Sequence, residues 1–385
     1  MDLGWQDSTR ALSVLAFAPT PPPQPAPSTV VGIAGSGGLF RFDAFDLYTH
    51  GWLTNPNVLI LGDVGRGKST LVKLLLVRSA IAASGSLLVL DPKGEYGAVA
   101  RAVGASVMRP RADHGGIDPL AGSLDQRERA RALGSVLEAL CERPLDELER
   151  RAVSAVCVGP LAGLADAARR LAALDAEVFD ARLASAGLER AARLALWLSR
   201  VVDGDLAGIW ETRGGGSALA PRVVVDLSDV GAERWVRIAV AALLRMRLAQ
   251  LGSGEVAGGL VVVDEAWTLA SETSTRTLLV RALKLARAYG VSVVAVTHRL
   301  ADVAGAMDLI GDVGTVVAFG QSSSAAQDLV TELHLDERVR ELVAGLGRGV
   351  ALWLLGGHSW LVRHVVREEE VALVDTDARM RAPAP

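Results

Sequence analysis

The sequence predicts an α/β fold: a mostly parallel sheet covered by helices on both faces, interrupted by an all-helical insertion and closed by a C-terminal β-hairpin. Three observations predict it. Short continuous apolar runs alternate with helix-length segments, the pattern of strands buried on both faces. The run Val58-Leu-Ile-Leu61 leads directly into Gly62-Asp-Val-Gly-Arg-Gly67-Lys68-Ser69, a strand, glycine-rich loop and helix start in succession. A long stretch from about 121 to 200 contains no strand-like run at all.

In order along the 385 residues, the pattern divides into four parts. Residues 1–29 hold an apolar run, "ALSVLAFA" at 11–18, expected as a small packed helix, and end in "PTPPPQPAPST", a polyproline-type spacer that cannot join a sheet. Residues 30–120 are the first part of the core: the lead-in to the strand at 58–61, the helix whose apolar face is Leu71, Leu74 and Leu75, and a second buried strand at Leu87–Leu90 ending on Asp91. Residues 121–200 are rich in Ala, Leu, Arg and Glu and read as helices. Pro144 opens one, with Leu145, Leu148, Ala152 and Val156 at helical spacing; Pro160 opens another, with Leu161, Leu164, Ala168 and Leu171. Residues 201–385 return to the core, with strands at Val223–Leu227, Leu260–Val263, Val291–Val296 and Thr315–Phe319, and a hairpin turning at Gly356-Gly357.

Composition bounds the function. A hydrophobic fraction of 50% with 22% charged residues is an ordinary globular balance. No apolar run approaches the roughly 20 residues that cross a bilayer, so no integral membrane segment is expected. Asp2 and Asp7 precede the N-terminal apolar run where a signal peptide carries positive charge. Cys141 and Cys157 form no metal pattern and read as buried thiols in a reducing cytoplasm. The net charge of −4 and the absence of a concentrated basic patch argue against a static duplex-binding domain, so any nucleic-acid contact must be assembled in an oligomer. Of the 40 basic residues only Lys68, Lys73, Lys93 and Lys284 are lysine. A lysine kept against that bias marks a place where a compact ammonium is needed. Lys68 is such a place, Lys93 and Lys284 are candidates, and Lys73 reads as chance.

The glycine-rich stretch is the P-loop pattern G-x-x-x-x-G-K-[ST]. Its glycines let backbone N–H groups wrap a phosphate at the positive end of the following helix. Gly62, Asp63, Val64, Gly65, Arg66, Gly67, Lys68, Ser69 and Thr70 form the expected cradle for ATP, with Lys68 reaching the β- and γ-phosphates and Ser69 completing a Mg²⁺ shell. "GGLVVVDEAW" sets Asp264 and Glu265 at the carboxyl end of a buried strand, where ligands of open α/β sheets bind. Asp264 is the expected second Mg²⁺ ligand and Glu265 the group that polarises the attacking water. No N-K-x-D element of a GTPase and no L-S-G-G-Q signature of a cassette transporter occurs. A carboxylate beside the metal aspartate suits hydrolysis rather than transfer to an alcohol, so an ATPase coupled to motion is favoured.

"LTNPNVLILGDVGRGKSTLVK", "LVLDPKGEYGAVA", "IDPL", "GDLAGIW", "VVVDLSDV", "VVVDEAW", "ARAYGVSVVAVTHRLADV" and "LVDTDARM" occur in this order from about residue 30 to the end. Together they resemble the ATPases of bacterial conjugation and type IV secretion in the HerA/FtsK superfamily. More narrowly, they are similar to the VirB-four-like versions on mobile elements of high-GC Gram-positive bacteria. The P-loop is shared by many families; "DPKGEY" and "THRLAD" carry the specificity. The resemblance implies a RecA-like P-loop NTPase core, a homo-hexamer, and a motor energising conjugative DNA transfer or secretion. It places the chain at the cytoplasmic face of the cell membrane, with membrane-embedded channel components and single- or double-stranded DNA as partners. The alternatives are a DNA translocase of the segregation or repair type and an ATP-binding ring scaffold without significant turnover.

The same resemblance places Asp91, Lys93 and Glu95 in an acidic loop near the nucleotide, a solvated turn being the alternative. It places Thr297 and His298 at a polar sensor position. Relatives commonly carry glutamine there; histidine can still bond a γ-phosphate or a water, or merely cap local backbone. After the second strand motif, Leu278, Leu279, Ala282, Leu283 and Ala286 form an apolar helix face, leaving Arg281, Lys284 and Arg287 on another. Family likeness points to Arg287 as a finger reaching a neighbour's γ-phosphate, with Arg299 as its rival and a solvated basic face as the alternative. Relatives commonly bring a large N-terminal domain, whereas about 56 residues precede the P-loop strand here.

Overall fold

The structure is a computed structural model describing residues 29–79, 84–110, 116–120, 125–208, 210, 219–266, 273–301 and 311–375. The expected helix at 11–18, the Pro-rich spacer and the last residues of "LVDTDARM" lie outside the described residues. The described chain opens with β1 (Val30–Ala34), β2 (Leu39–Arg41) and α1 (Ala44–Thr49). Then come β3 (Val58–Leu61), α2 (Lys68–Arg78), β4 (Ser86–Asp91), α3 (Gly97–Ala102) and β5 (Ser106–Met108). Four helices follow: α4 (Gln126–Cys141), α5 (Glu147–Val156), α6 (Leu164–Ala172) and α7 (Ala184–Val202). The core resumes with β6 (Arg222–Asp226), α8 (Glu233–Ser253), β7 (Gly259–Val263), α9 (Thr273–Ala286), β8 (Val291–Val296) and β9 (Thr315–Phe319). It ends with α10 (Ser323–Glu332), α11 (Arg338–Ala344), the hairpin β10 (Val350–Leu355) and β11 (His358–His364), and α12 (Val371–Val374).

One sheet of eleven strands takes the order β2-β1-β11-β10-β9-β3-β8-β7-β4-β6-β5. From β9 to β5 every pairing is parallel; β10, β11, β1 and β2 add antiparallel neighbours at the other side. Strands β3, β4, β7, β8 and β9 are buried throughout because neighbouring residues feed two separate cores. Leu59, Leu61, Leu88, Leu90, Val261 and Val263 pack on one side, while Val58, Ile60, Leu87, Val89, Leu260 and Val262 pack on the other. This is the physical reason for continuous apolar runs rather than alternation. Helices α4 to α7 feed the first of these cores through residues such as Leu133, Val136, Leu137 and Leu194.

Several details differ from the sequence expectation. Pro144 does not open a helix; α5 begins at Glu147 because Asp146 and Glu149 form a reciprocal capping box. Nor does Pro160, since α6 begins at Leu164 after Gly163. Helix α2 is buried at Val72, Lys73 and Leu76 as well as at Leu71, Leu74 and Leu75, so it is enclosed rather than one-faced. Strands β1, β2 and β5 were not expected. The latter two span three residues each, too short to show a period, and β1 contains Gly32, where a Cβ would lie 2.3 Å from the Arg363 carbonyl oxygen.

The C-terminal hairpin turns at Gly356 and Gly357, whose φ values of 56° and 76° are those a two-residue hairpin loop demands. It is joined to the glycine-rich loop. Trp353 Nε1–H donates to His364 Nε2 at 3.1 Å, which leaves the His364 proton on Nδ1, donated to the Gly349 carbonyl at 3.1 Å. Gly349 N–H in turn donates to the Arg66 carbonyl at 2.9 Å. Burial pushes the His364 imidazole down to about 4. The fold thus accepts the neutral ring: its contribution is complete above the ordinary pKa of 6.5 and is lost as pH falls toward 4. Between pH 7 and pH 5 the loss is about 1 to 2 kcal/mol, allowing for the ring's residual contact with water. Denaturant unfolding at both pH values should show this loss in the wild type and not in His364→Gln; equal pH dependence in the two would remove His364 as its source.

A candidate nucleotide-binding site

The parallel register brings the site together. Ile60 pairs with Val296, Val263 with Leu90 and Ala295 with Val263, so the residues that follow β3, β8, β7 and β4 emerge at one edge of the sheet. From β3 the chain enters the glycine-rich loop, where Gly62, Gly65 and Gly67 take φ values of 151°, 77° and 114°. A side chain at 62 would also strike Phe319, whose own Cβ lies 2.6 Å from where the new Cβ would stand. The loop is anchored on both sides: Gly62 N–H donates to the His298 carbonyl at 3.1 Å and Asp63 N–H to the Gly320 carbonyl at 3.0 Å. Val64 stands exposed at its tip, and Arg66 donates to the Leu346 carbonyl at 3.3 Å. Helix α2 starts from Gly67 with no side-chain cap, so its first N–H groups, including those of Ser69 and Thr70, are offered to an incoming anion.

Lys68 folds back along the loop, its ammonium donating to the carbonyls of Gly62 at 2.5 Å and Asp63 at 3.1 Å, with His298 Nδ1 at 3.3 Å. Burial lowers its pKa, against the pull of Glu265 and Asp264. Glu265 sits between two cationic or donor groups: it ion-pairs with the Lys93 ammonium, and its other oxygen lies 3.1 Å from His298 Nε2. With an ammonium on Nδ1 and a carboxylate on Nε2, the imidazole that satisfies both is neutral, protonated on Nε2 and accepting at Nδ1. The result is a chain of contacts Lys93–Glu265–His298–Lys68. Glu265 holds a left-handed φ of 55°, an uncommon conformation for a residue with a side chain. Burial opposes the charge of Lys93, but its hydrogen bond and charge pairing with Glu265 prevail and raise its pKa.

Asp264 is buried, with Oδ1 accepting from Glu265 N–H at 3.0 Å and Oδ2 from the Tyr96 hydroxyl at 3.1 Å. Burial first, and then the neighbouring Glu265 charge, push its carboxyl up to about 6. The acidic loop divides its expected roles. Asp91 turns inward and accepts from Lys93 N–H at 3.2 Å and Tyr96 N–H at 2.9 Å, organising the loop itself. Glu95 reaches to Lys73, 3.9 Å away, and Lys93 alone of the three extends to the Glu265 carboxylate. Thr297 is buried with its hydroxyl unpartnered among the described residues. Two residues of the site were missed: Tyr96, and Lys73, which is fully buried with its ammonium 5.4 Å from the Tyr96 ring centre. The scarcity of lysine was the signal for Lys73, since three of the four lysines meet here.

The expected arginines separate. Arg281 is ion-paired with Glu128 of α4, which ties it to the helical stretch. Lys284 and Arg287 are exposed near the end of α9. That end is held at the amino edge of the sheet, where the Asn57 amide donates to the Leu283 carbonyl at 2.9 Å. Arg287 therefore lies about one strand length, roughly 20 Å, from the glycine-rich loop of its own chain. Arg299 is exposed beside His298, at the loop's own edge.

The residues present fit a magnesium nucleotide. They offer an uncapped helix start, glycines with the required φ, an ammonium resting on loop carbonyls it can exchange for phosphate oxygens, and an orphaned buried hydroxyl at Thr297. A raised carboxyl pKa has a stability consequence. The protonated form of Asp264 is the better tolerated, so its contribution is complete below the ordinary value of 3.8 and is lost as pH rises through about 6. Without metal, Asp264→Asn should raise the melting temperature at pH 7.5 by several degrees and leave it unchanged at pH 4; a destabilised variant at pH 7.5 would refute this account of the buried carboxylate.

Residues 51–139 match the family model described as the central domain of the helicase HerA. Among solved structures, the chain is similar to VirB4 of Thermoanaerobacter pseudethanolicus, at 20% identity and a TM-score of 0.74, covering 90% of this chain and 99% of that one. It is also similar to the bacterial conjugative coupling protein TrwB, at 16% identity and a TM-score of 0.57, covering 89% of this chain and 90% of that one. A TrwB structure with ADP and Mg²⁺ aligns equally, with a TM-score of 0.57, 16% identity and coverage of 89% and 90%. No curated protein sequence matches the chain. The RecA-like P-loop fold expected from the motifs holds in structure.

Proposed function

We propose that this chain is an ATP-hydrolysing motor of conjugative DNA transfer or type IV secretion, acting as a homo-hexamer against membrane-embedded channel components at the cytoplasmic face of the membrane. The observation that carries the reading is the chain of contacts from Lys93 through Glu265 and His298 to Lys68, built at the carboxyl edge of the sheet. TrwB has been solved with ADP and Mg²⁺ and with ATP and GTP analogues, which supports a nucleotide in the corresponding loop.

In this reading the loop amides and Lys68 would bind the phosphates, and Ser69 and Asp264 would hold a Mg²⁺ that supplies positive charge to the phosphate oxygens. If the Lys68 ammonium moved to a phosphate, the Nδ1 lone pair of His298 would be freed to accept a hydrogen bond from the attacking water, while its Nε2–H stays on Glu265. Glu265, held by its ion pair with Lys93, would orient that water and accept its proton at a carboxylate oxygen. Arg287 is too far from its own loop to serve there, so its use is in trans, at a neighbour's site, which makes turnover depend on assembly. No helix among the described residues is long and apolar enough to cross a membrane, which fits a motor that docks on a channel.

Glu265→Gln should leave Mg²⁺·ATP affinity nearly intact and cut hydrolysis by at least ~100-fold, whereas Lys68→Ala should weaken binding itself. Wild-type turnover in Glu265→Gln would overturn the mechanism. A second measurement tests the assembly: mixing Arg287→Ala with Lys68→Ala should restore turnover at mixed interfaces, and an active proven monomer would refute the trans role. Stimulation of the ATPase by DNA alone would favour the translocase reading of segregation and repair; stimulation only with channel components favours transfer or secretion.

A further inference from the structure

We propose that Tyr96 is a positioning residue for the divalent cation, fixing Asp264 in its ligating pose, and that Lys73 holds the Tyr96 ring in place. The inference deepens the nucleotide reading and rests on it. Asp264 has two described donors. One is the backbone N–H of Glu265, which any residue at that position supplies; the other is the Tyr96 hydroxyl at 3.1 Å. Each oxygen of the carboxylate is thus held once, which sets its rotation while leaving a further lone pair on each for a cation.

Tyr96 is itself fixed at three points. Its N–H donates to Asp91 Oδ2 at 2.9 Å, its hydroxyl is spent on Asp264, and the face of its ring lies 5.4 Å from the Lys73 ammonium. Tyr96 and Lys73 are both fully buried. Among the described residues the Lys73 ammonium has no hydrogen-bond partner; it faces the ring, with a Glu95 oxygen 3.9 Å away and the charges of Asp91, Asp264 and Asp375 also acting on it. A buried tyrosine that only filled space could be phenylalanine at no loss of packing, and a buried ammonium without a hydrogen bond is costly unless its charge is used. Here the charge acts on the ring that carries the hydroxyl to Asp264, and it offsets the negative charge gathered at Asp91, Glu95 and Asp264.

The experiment titrates Mg²⁺ into the full chain with a fluorescent methylanthraniloyl-ATP, read by binding rather than turnover, beside cation-free nucleotide affinity and the melting temperature without ligands. Loss of an outer partner of a metal ligand typically weakens metal affinity roughly 10- to 100-fold. Tyr96→Phe should therefore raise the Mg²⁺ midpoint by about 10-fold, with cation-free nucleotide affinity within about twofold and melting unchanged. Lys73→Met should move the midpoint in the same direction by a smaller factor. A purely structural role predicts the reverse, a lowered melting temperature with an unmoved midpoint, and an unmoved midpoint in Tyr96→Phe overturns the inference alone. A wild-type chain whose nucleotide binding does not respond to Mg²⁺ overturns the functional reading and the inference together.

Discussion

The in-phase parallel register of β4, β7, β8 and β3 is the constraint on which the rest depends. Parallel strands are offset by crossover segments, so residues 91, 264, 297 and 62 come from distant parts of the chain and still emerge side by side. A slip of one strand by a single residue would send its side chains to the opposite core and its terminal carboxylate to the wrong face. Two cores that each take alternate residues of every strand penalise such a slip twice, once on each side. The precision of the edge is thus a consequence of apolar packing well away from it.

That edge gathers charge where water is scarce. Asp91, Asp264 and Glu265 are all buried, and burial raises the pKa of Asp91 and Asp264 and lowers that of Lys68 and Lys73. The two signs are interleaved rather than segregated, with Lys93 on Glu265, Lys73 near Glu95 and Lys68 next to His298. Compact ammonium groups suit these short gaps, where a guanidinium would need a wider planar slot. In an arginine-rich chain this accounts for three of the four retained lysines. Lys284, exposed on α9, belongs to no such cluster among the described residues.

The C-terminal hairpin makes the glycine-rich loop part of a larger rigid unit. Through Gly349, His364 and Trp353 the loop is bonded to the strands that extend the sheet beyond β9. Arg66 contributes its carbonyl and its side chain to the same junction. The loop backbone is therefore preset, held from the end of β8 on one side and from β9 and the hairpin on the other, so an anion bound there would cost little ordering entropy.

The strands at 58–61, 291–296 and 315–319 were legible from sequence to the residue, because a strand buried on both faces reads as a nearly continuous apolar run and a polar residue or glycine follows it. The P-loop, Asp264 and Glu265 were legible for the same reason, since each sits at such an end. Helix starts were not: Pro144 and Pro160 were the stronger local signals, yet the Asp146 capping box and Gly163 decided. Nor was the pairing of charges. Nothing in "DPKGEY" tells that Asp91 serves its own loop while Lys93 reaches Glu265, or that Tyr96 and Lys73 close beneath Asp264. Burial pattern and backbone chemistry are properties of neighbouring residues and are written locally. Which charge meets which is a property of strand order and register, and those are set only when the whole sheet packs.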